Sequence, residues 1–168
     1  MKRIALLLII LFLIAFQLIG QSIELNSTGF FINTKQITNQ YTLDSIVYVL
    51  GEPDREFKGI SDIWTYDELG LYIYFHPQKL TATNVGVDFK KGTYDFSPSK
   101  EFSGEFILLG TQLTQDTPLA SLKEIDELNF KEGRSIKVYA AQTSNLNIVF
   151  EYLDSLSILN GIGVHLGY

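Results

Sequence analysis

The sequence predicts an α+β fold made of two tandem strand–helix–three-strand units, their strands forming an antiparallel sheet with helices packed on one face. Three observations carry that prediction. Segments about 76 residues apart repeat each other in order. Each copy holds an apolar run of helical period between short alternating runs. Polar stretches bearing Gly and Pro separate the runs, as turns and linkers do.

The 168 residues bound the chain to one compact domain or two very small ones. With 13 Lys+Arg against 19 Asp+Glu, it lacks the basic footprint that nucleic acid requires. It has no Cys, which excludes disulfides, thiolate nucleophiles, thiolate metal sites and a lipid-bearing N-terminal Cys. The apolar fraction of 46% supplies ample core.

Taken in order, residues 1–20 are an address. Lys2-Arg3 precedes the apolar run Ile4–Phe16, and Gly20 offers a small residue for signal-peptide cleavage. An uncleaved anchor is the rival reading, but Ile4–Ile19 falls short of the roughly 20 residues a spanning helix needs. The expectation is an exported protein, periplasmic or extracellular, not a lipoprotein, with no membrane span after cleavage. The first unit then occupies 21–92 and the second 105–168, joined by a linker at 93–104 within the polar stretch Lys90–Gly104.

The repeat sets Phe30–Ile46 against Phe106–Leu122, with identities at Phe30/Phe106, Gln36/Gln112, Thr38/Thr114, Leu43/Leu119 and Ser45/Ser121. It continues through Ile63/Ile136, Tyr66/Tyr139, Leu71/Leu146 and Phe75/Phe150 to Gly86-Val87/Gly163-Val164. In the first copy, Gly29–Ile32 and Gln36–Ile37 are short β-prone runs. Thr42 caps a helix whose Leu43, Ile46, Val47 and Leu50 share one face, and Gly51 stops it before Pro53. The second copy places Thr117 as cap, Pro118 at the first helical position, and Leu119, Leu122 and Ile125 inward. The strands expected after the helices are Asp62–Tyr66, Leu71–Phe75 and Val85–Phe89, then Ser135–Tyr139, Leu146–Tyr152 and Gly161–Leu166.

The series Thr42-x3-Ile46-x3-Leu50-Gly51-Glu52-Pro53, Asp62-x-Trp64-x-Tyr66 and Gly70-Leu71-x-Ile73-x-Phe75 resembles the SmpA/OmlA-like envelope proteins. It is also similar to the tandem-repeat β-lactamase inhibitory protein and to bacterial domains of unknown function with like motifs. The resemblance spans about 35 residues, chiefly in the first copy, and the second departs from it at Glu127, Leu128 and Asn129. It implies an antiparallel sheet with helices on one face and a protein-binding role. Its motifs are a helix stop and a hairpin, so they carry fold better than function.

The turn Asp67-Glu68-Leu69-Gly70 sets Tyr66 opposite Leu71, Thr65 opposite Tyr72, Trp64 opposite Ile73 and Ile63 opposite Tyr74. Trp64, Tyr66, Leu71, Ile73 and Phe75 then face the core, and Ile63, Thr65, Tyr72 and Tyr74 the other side. In the second copy the outer side receives Ile136, Val138, Asn147 and Val149. A solvated sheet face should be polar, and this one is not. Three readings stand: a slipped register or a covering linker, a face for a protein partner, or a ligand groove between the copies.

His165 falls at the position in the second copy that Asp88 holds in the first, which marks those two as an alternative ligand site. His76, Asp67-Glu68 and Glu52…Asp54 read as polar surface and turn residues. No phosphate loop, dinucleotide fingerprint or HExxH occurs. The expectation is a non-catalytic domain without cofactor or metal, binding another protein of the envelope or exterior as an assembly, inhibitor or immunity-type factor. The alternative is a small-molecule binder or hydrolase with its site between the two units.

Overall fold

A computed structural model describes residues 21–135, 137–153 and 158–167; the expected signal peptide lies outside the described residues. The chain opens with β1 (Ser22–Asn26) and the hairpin β2 (Gly29–Ile32) and β3 (Lys35–Ile37). Then come α1 (Leu43–Leu50), β4 (Arg55–Phe57), β5 (Asp62–Tyr66), β6 (Leu71–Phe75) and β7 (Ala82–Asp88). After the linker the order recurs: β8 (Glu105–Leu108), β9 (Thr111–Leu113), α2 (Leu119–Lys123), β10 (Asn129–Ser135), β11 (Val138–Gln142), β12 (Asn147–Tyr152) and β13 (Leu159–His165).

These strands form two sheets, one of five strands ordered β3-β2-β1-β8-β9 and one of eight ordered β10-β11-β12-β13-β7-β6-β5-β4. Pairing is antiparallel except between β1 and β8. In the large sheet the register aligns Trp64, Ile73, Val85, Val164, Ile148, Ala141 and Phe130 in one row across seven strands. Those side chains belong to a single core that also takes Ile23, Leu25, Phe30, Ile32, Phe106 and Leu108 from the small sheet. The second layer over the large sheet is therefore another sheet.

That corrects the expected α+β class: the protein is mostly β, and helices do not cover a face of the sheet. Length explains why. The eight residues of α1 and five of α2 span about 12 and 8 Å, whereas eight strands spread over about 34 Å. The short runs flanking each helix do the covering instead, because β1 lies between β2 and β8 and ties both hairpins into one layer. Each helix is followed by four strands rather than three.

Local structure follows the residues closely around α1. The Thr42 hydroxyl accepts a bond from Ser45 N at 3.4 Å, and Gly51, at φ 86°, ends the helix by donating to Val47 O at 2.8 Å. In α2 the helix starts one residue later than expected, and Thr117 Oγ1 accepts from Thr114 N at 2.9 Å instead of capping it. The strand expected at Ser135–Tyr139 straddles the turn between β10 and β11. The β5–β6 hairpin has the register its turn dictates, with Gly70 at φ 68° closing it.

Candidate functional site

On the side of the large sheet away from the core, the row Thr65, Tyr72, Gly86, Gly163, Val149, Ala140 runs from β5 to β11. Over its first half lies the linker. Thr65 Oγ1 donates to Phe96 O at 2.7 Å, and the Phe96 ring meets Tyr72 and Tyr74 edge-on at 5.4 and 5.8 Å. Tyr94 stacks on Phe96 at 5.1 Å. Arg55 fixes the strap: its guanidinium grips both carboxylate oxygens of Asp67, at 2.8 and 2.7 Å, and donates to Asp95 O and Ser97 O at 2.7 Å each. Asp67 Oδ1 also accepts from Ser99 N at 2.6 Å. The hydrogen bond from Arg55 holds the Asp67 carboxyl below its usual range. So Asp67, one of the paired acids of the sequence, is occupied in anchoring the linker, and Asp54 accepts from Asp67 N at 2.7 Å.

The residues of the expected binding face therefore sit in different surroundings. Thr65 is fully buried and Ile63 nearly so, while Tyr72 and Tyr74 are half-buried beneath Phe96. Beyond the linker Val149 is open, at 41% exposure, and Val138 is half-buried. Ile136 lies outside the described residues. At the β4–β5 connection, Ile60 stands 98% exposed beside a groove of about 340 Å³ lined by Phe57, Ile63, Tyr74 and Phe96. Ile60, Phe57 and Phe96 were not singled out by sequence reasoning. The alternation Tyr94-x-Phe96-x-Pro98 was the available sign that the linker has an apolar underside.

Asp88 and His165 do not meet. They share a face of the adjacent strands β7 and β13, but Asp88 opposes Gly161 and His165 opposes Asn84, about 13 Å apart along the strands. The local two-fold axis of this antiparallel pair passes between Gly86 and Gly163, so the two positions fall on opposite sides of it. Each lines its own cavity.

Asp88 borders a partly open cleft of about 140 Å³ at the edge of the linker, lined by Tyr72, Gly92, Tyr94, Ser97, Glu151 and Asn160. The residue is 6% exposed, and its Oδ2 is sealed from solvent without a well-formed hydrogen bond. Burial pushes its carboxyl up to about 6, opposed in part by the Ser97 hydroxyl and reinforced by Glu151. The same burial raises the Tyr72 hydroxyl far above its ordinary value.

His165 lines a larger cavity, about 650 Å³, together with His76, Lys79, Asn39 and Gln40. Both histidines of the chain thus converge on one space. His76 Nδ1 accepts from Gln78 N and Lys79 N at 3.2 and 3.3 Å, which leaves its proton on Nε2 when neutral. His165 Nδ1 lies 3.1 Å from Thr83 O, an acceptor only, so that nitrogen carries the proton. Among the described residues no cluster of three or more His, Asp or Glu side chains is grouped to hold a metal ion. No helix among them is long and apolar enough to cross a membrane.

Comparison with known proteins returns no match among curated proteins. A solved structure, an extracellular protein containing a SCP domain from Bacillus anthracis str. Ames, is similar at 10% identity and a TM-score of 0.48. The alignment covers 79% of this chain and 49% of that one, so the chain spans about half its length. The likeness to SmpA/OmlA-like proteins and to β-lactamase inhibitory protein is not among what these comparisons show, whereas an uncharacterised family is. Residues 22–123 match the model of a family described as a domain of unknown function (DUF7738), and the chain belongs to that family.

Proposed function

We propose that this is an exported, non-catalytic domain that binds another protein through the groove beside Ile60. The observation that carries the reading is the exposure of that side chain. A fully solvated isoleucine adjoining Phe57, Ile63, Tyr74 and Phe96 leaves an apolar surface without a covering layer. Tyr and Phe anchors in such a groove, with Glu56, Lys58 and Asp62 as a charged rim, have the composition of a protein interface. Beyond residue 20 the chain carries 11 Lys+Arg against its 19 acids, so the partner it favours presents basic groups around an apolar centre. Export is supported by the leader pattern of residues 1–20.

The test is a photo-crosslinking residue placed at position 60 in producing cells, with position 116 on another loop as control. One discrete adduct at 60, absent at 116 and lost when Phe57→Asp is added to a chain that still melts normally, supports the reading. Adducts at both positions, or none at 60, overturn it.

A second reading rests on a different observation. The cavity shared by His76, His165 and Lys79 has no acid among its lining residues, in a chain of net acidic charge. Such a donor-rich space suits a small carboxylate or phosphate. With only two histidines, two imidazole signals report on it by nuclear magnetic resonance. Inorganic phosphate should shift both signals saturably; signals that do not move dismiss this reading.

A further inference from the structure

We infer that Gln21 is a modification site: once the leader is cut after Gly20, the Gln21 α-amine closes on its own side-chain amide to form an N-terminal pyroglutamate, which the small sheet then holds. The inference rests on the export reading and on cleavage at that position.

New chain ends usually fray unless they are tied down, and this one is tied on two sides. Gln21 O accepts from Glu105 N at 2.9 Å, and a Cβ on Gly104 would lie 2.1 Å from the same oxygen, so backbone meets backbone there. On the other side Ser22 N donates to Asn33 Oδ1 at 3.0 Å, and Ser22 O accepts from Asn33 N at 2.8 Å. Strand alternation carries position 21 to the side of Ile23 and Leu25, both fully buried in the core. A glutamine is out of place in that row. Its Oε1 and Nε2 are both sealed from solvent, and neither has a hydrogen-bond partner among the described residues. A buried amide without partners is costly, whereas an apolar side chain would sit there without that cost.

Cyclisation gives the glutamine a use and lowers the cost. The α-nitrogen lone pair bonds to Cδ, the Cδ–Nε2 bond breaks, and an amine proton leaves with Nε2 as ammonia. Nothing is oxidised or reduced, and no co-reactant is consumed. The departing ammonia takes away the unpaired Nε2 donor. The α-nitrogen, otherwise largely an ammonium at neutral pH, becomes a neutral lactam amide. What remains unpaired is a carbonyl, which folds tolerate better than an orphaned N–H. Because the ring forms within one residue, it closes before β1 docks beside β8, and docking then seals it.

The experiment isolates the exported protein from producing cells and weighs it by intact mass spectrometry. The expected product begins at Gln21, is lighter than the unmodified chain by one ammonia, and resists stepwise degradation from its N-terminus. The reference is the same chain released fresh from an N-terminal fusion, with Gln21 still open. The cyclised form should melt about 3 °C above it. An exported chain that begins at Gln21 with its full mass overturns the proposal and leaves export standing. A chain that keeps its leader, or begins elsewhere, overturns the proposal together with the cleavage on which it rests. Equal melting temperatures of the open and cyclised forms overturn the seating of the lactam in the sheet.

Discussion

Arg55 makes four hydrogen bonds to Asp67 and the linker backbone, and it is the side chain most responsible for holding residues 95–99 on the sheet. Arg55→Gln should cost about 1–2 kcal/mol, since charge-assisted bonds at a partly exposed site are worth a fraction of their buried value. Urea unfolding at pH 7 measures it, and limited proteolysis near Tyr94 should quicken in parallel. Asp67 and Asp88 act oppositely on pH. The carboxyl of Asp67 is lowered in the fold, so its contribution is present above the unfolded value near 4 and fades as pH falls through the lower folded one. That of Asp88 is raised to about 6, so its charge penalises the fold fully above 6 and not at all below about 4. Asp88→Asn should therefore gain about 1–3 kcal/mol over wild type at pH 7.5 and nothing at pH 4, by urea unfolding at both. Parity along β6 and β7 set Tyr72, Tyr74 and Asp88 on the side of the sheet away from the core. It could not place the linker over them, because that depends on Thr65 and Arg55 finding backbone carbonyls thirty to forty residues away.

Among the elements, the β5–β6 hairpin was legible because four turn residues and strict alternation fix its register together. Helix α1 was legible from its cap, apolar face and glycine stop. The missed strands share a different character. Strands β4 and β10 lie at the two edges of the large sheet, and β4 reads Arg-Glu-Phe, a charged edge in which protection from foreign pairing outweighs hydrophobic pattern. Strand β1 is short, and neither of its partners can be told from its own residues. The joint between β6 and β7 has a sharper requirement: a Cβ on Gly86 would fall 2.1 Å from Tyr72 Cζ, and that ring is held from above by Phe96. Gly86→Ala should destabilise by about 1–3 kcal/mol through overpacking. Tyr72→Ala in the same chain should make the Gly86→Ala change nearly neutral, and a double-mutant cycle by thermal unfolding checks that coupling.

At the scale of the molecule, the two halves meet in both layers: β7 pairs with β13 in the large sheet and β1 with β8 in the small one. Cutting the chain in the exposed stretch 93–95 should therefore leave one particle, since no sheet pairing runs through it. A protease site inserted there should yield two fragments in denaturing gels and a single peak on native size exclusion. Separate native peaks would show that the linker, rather than the sheets, unites the halves. The pairing of β1 also sets an order in time. Ile23 is among the first described residues, yet its parallel neighbour Phe106 follows only after all of β2 to β7. Closing that pair requires bringing distant chain together before any contact rewards it, a slow step. A chain emerging from its N-terminus thus carries one edge of β1 unpaired until β8 has been made.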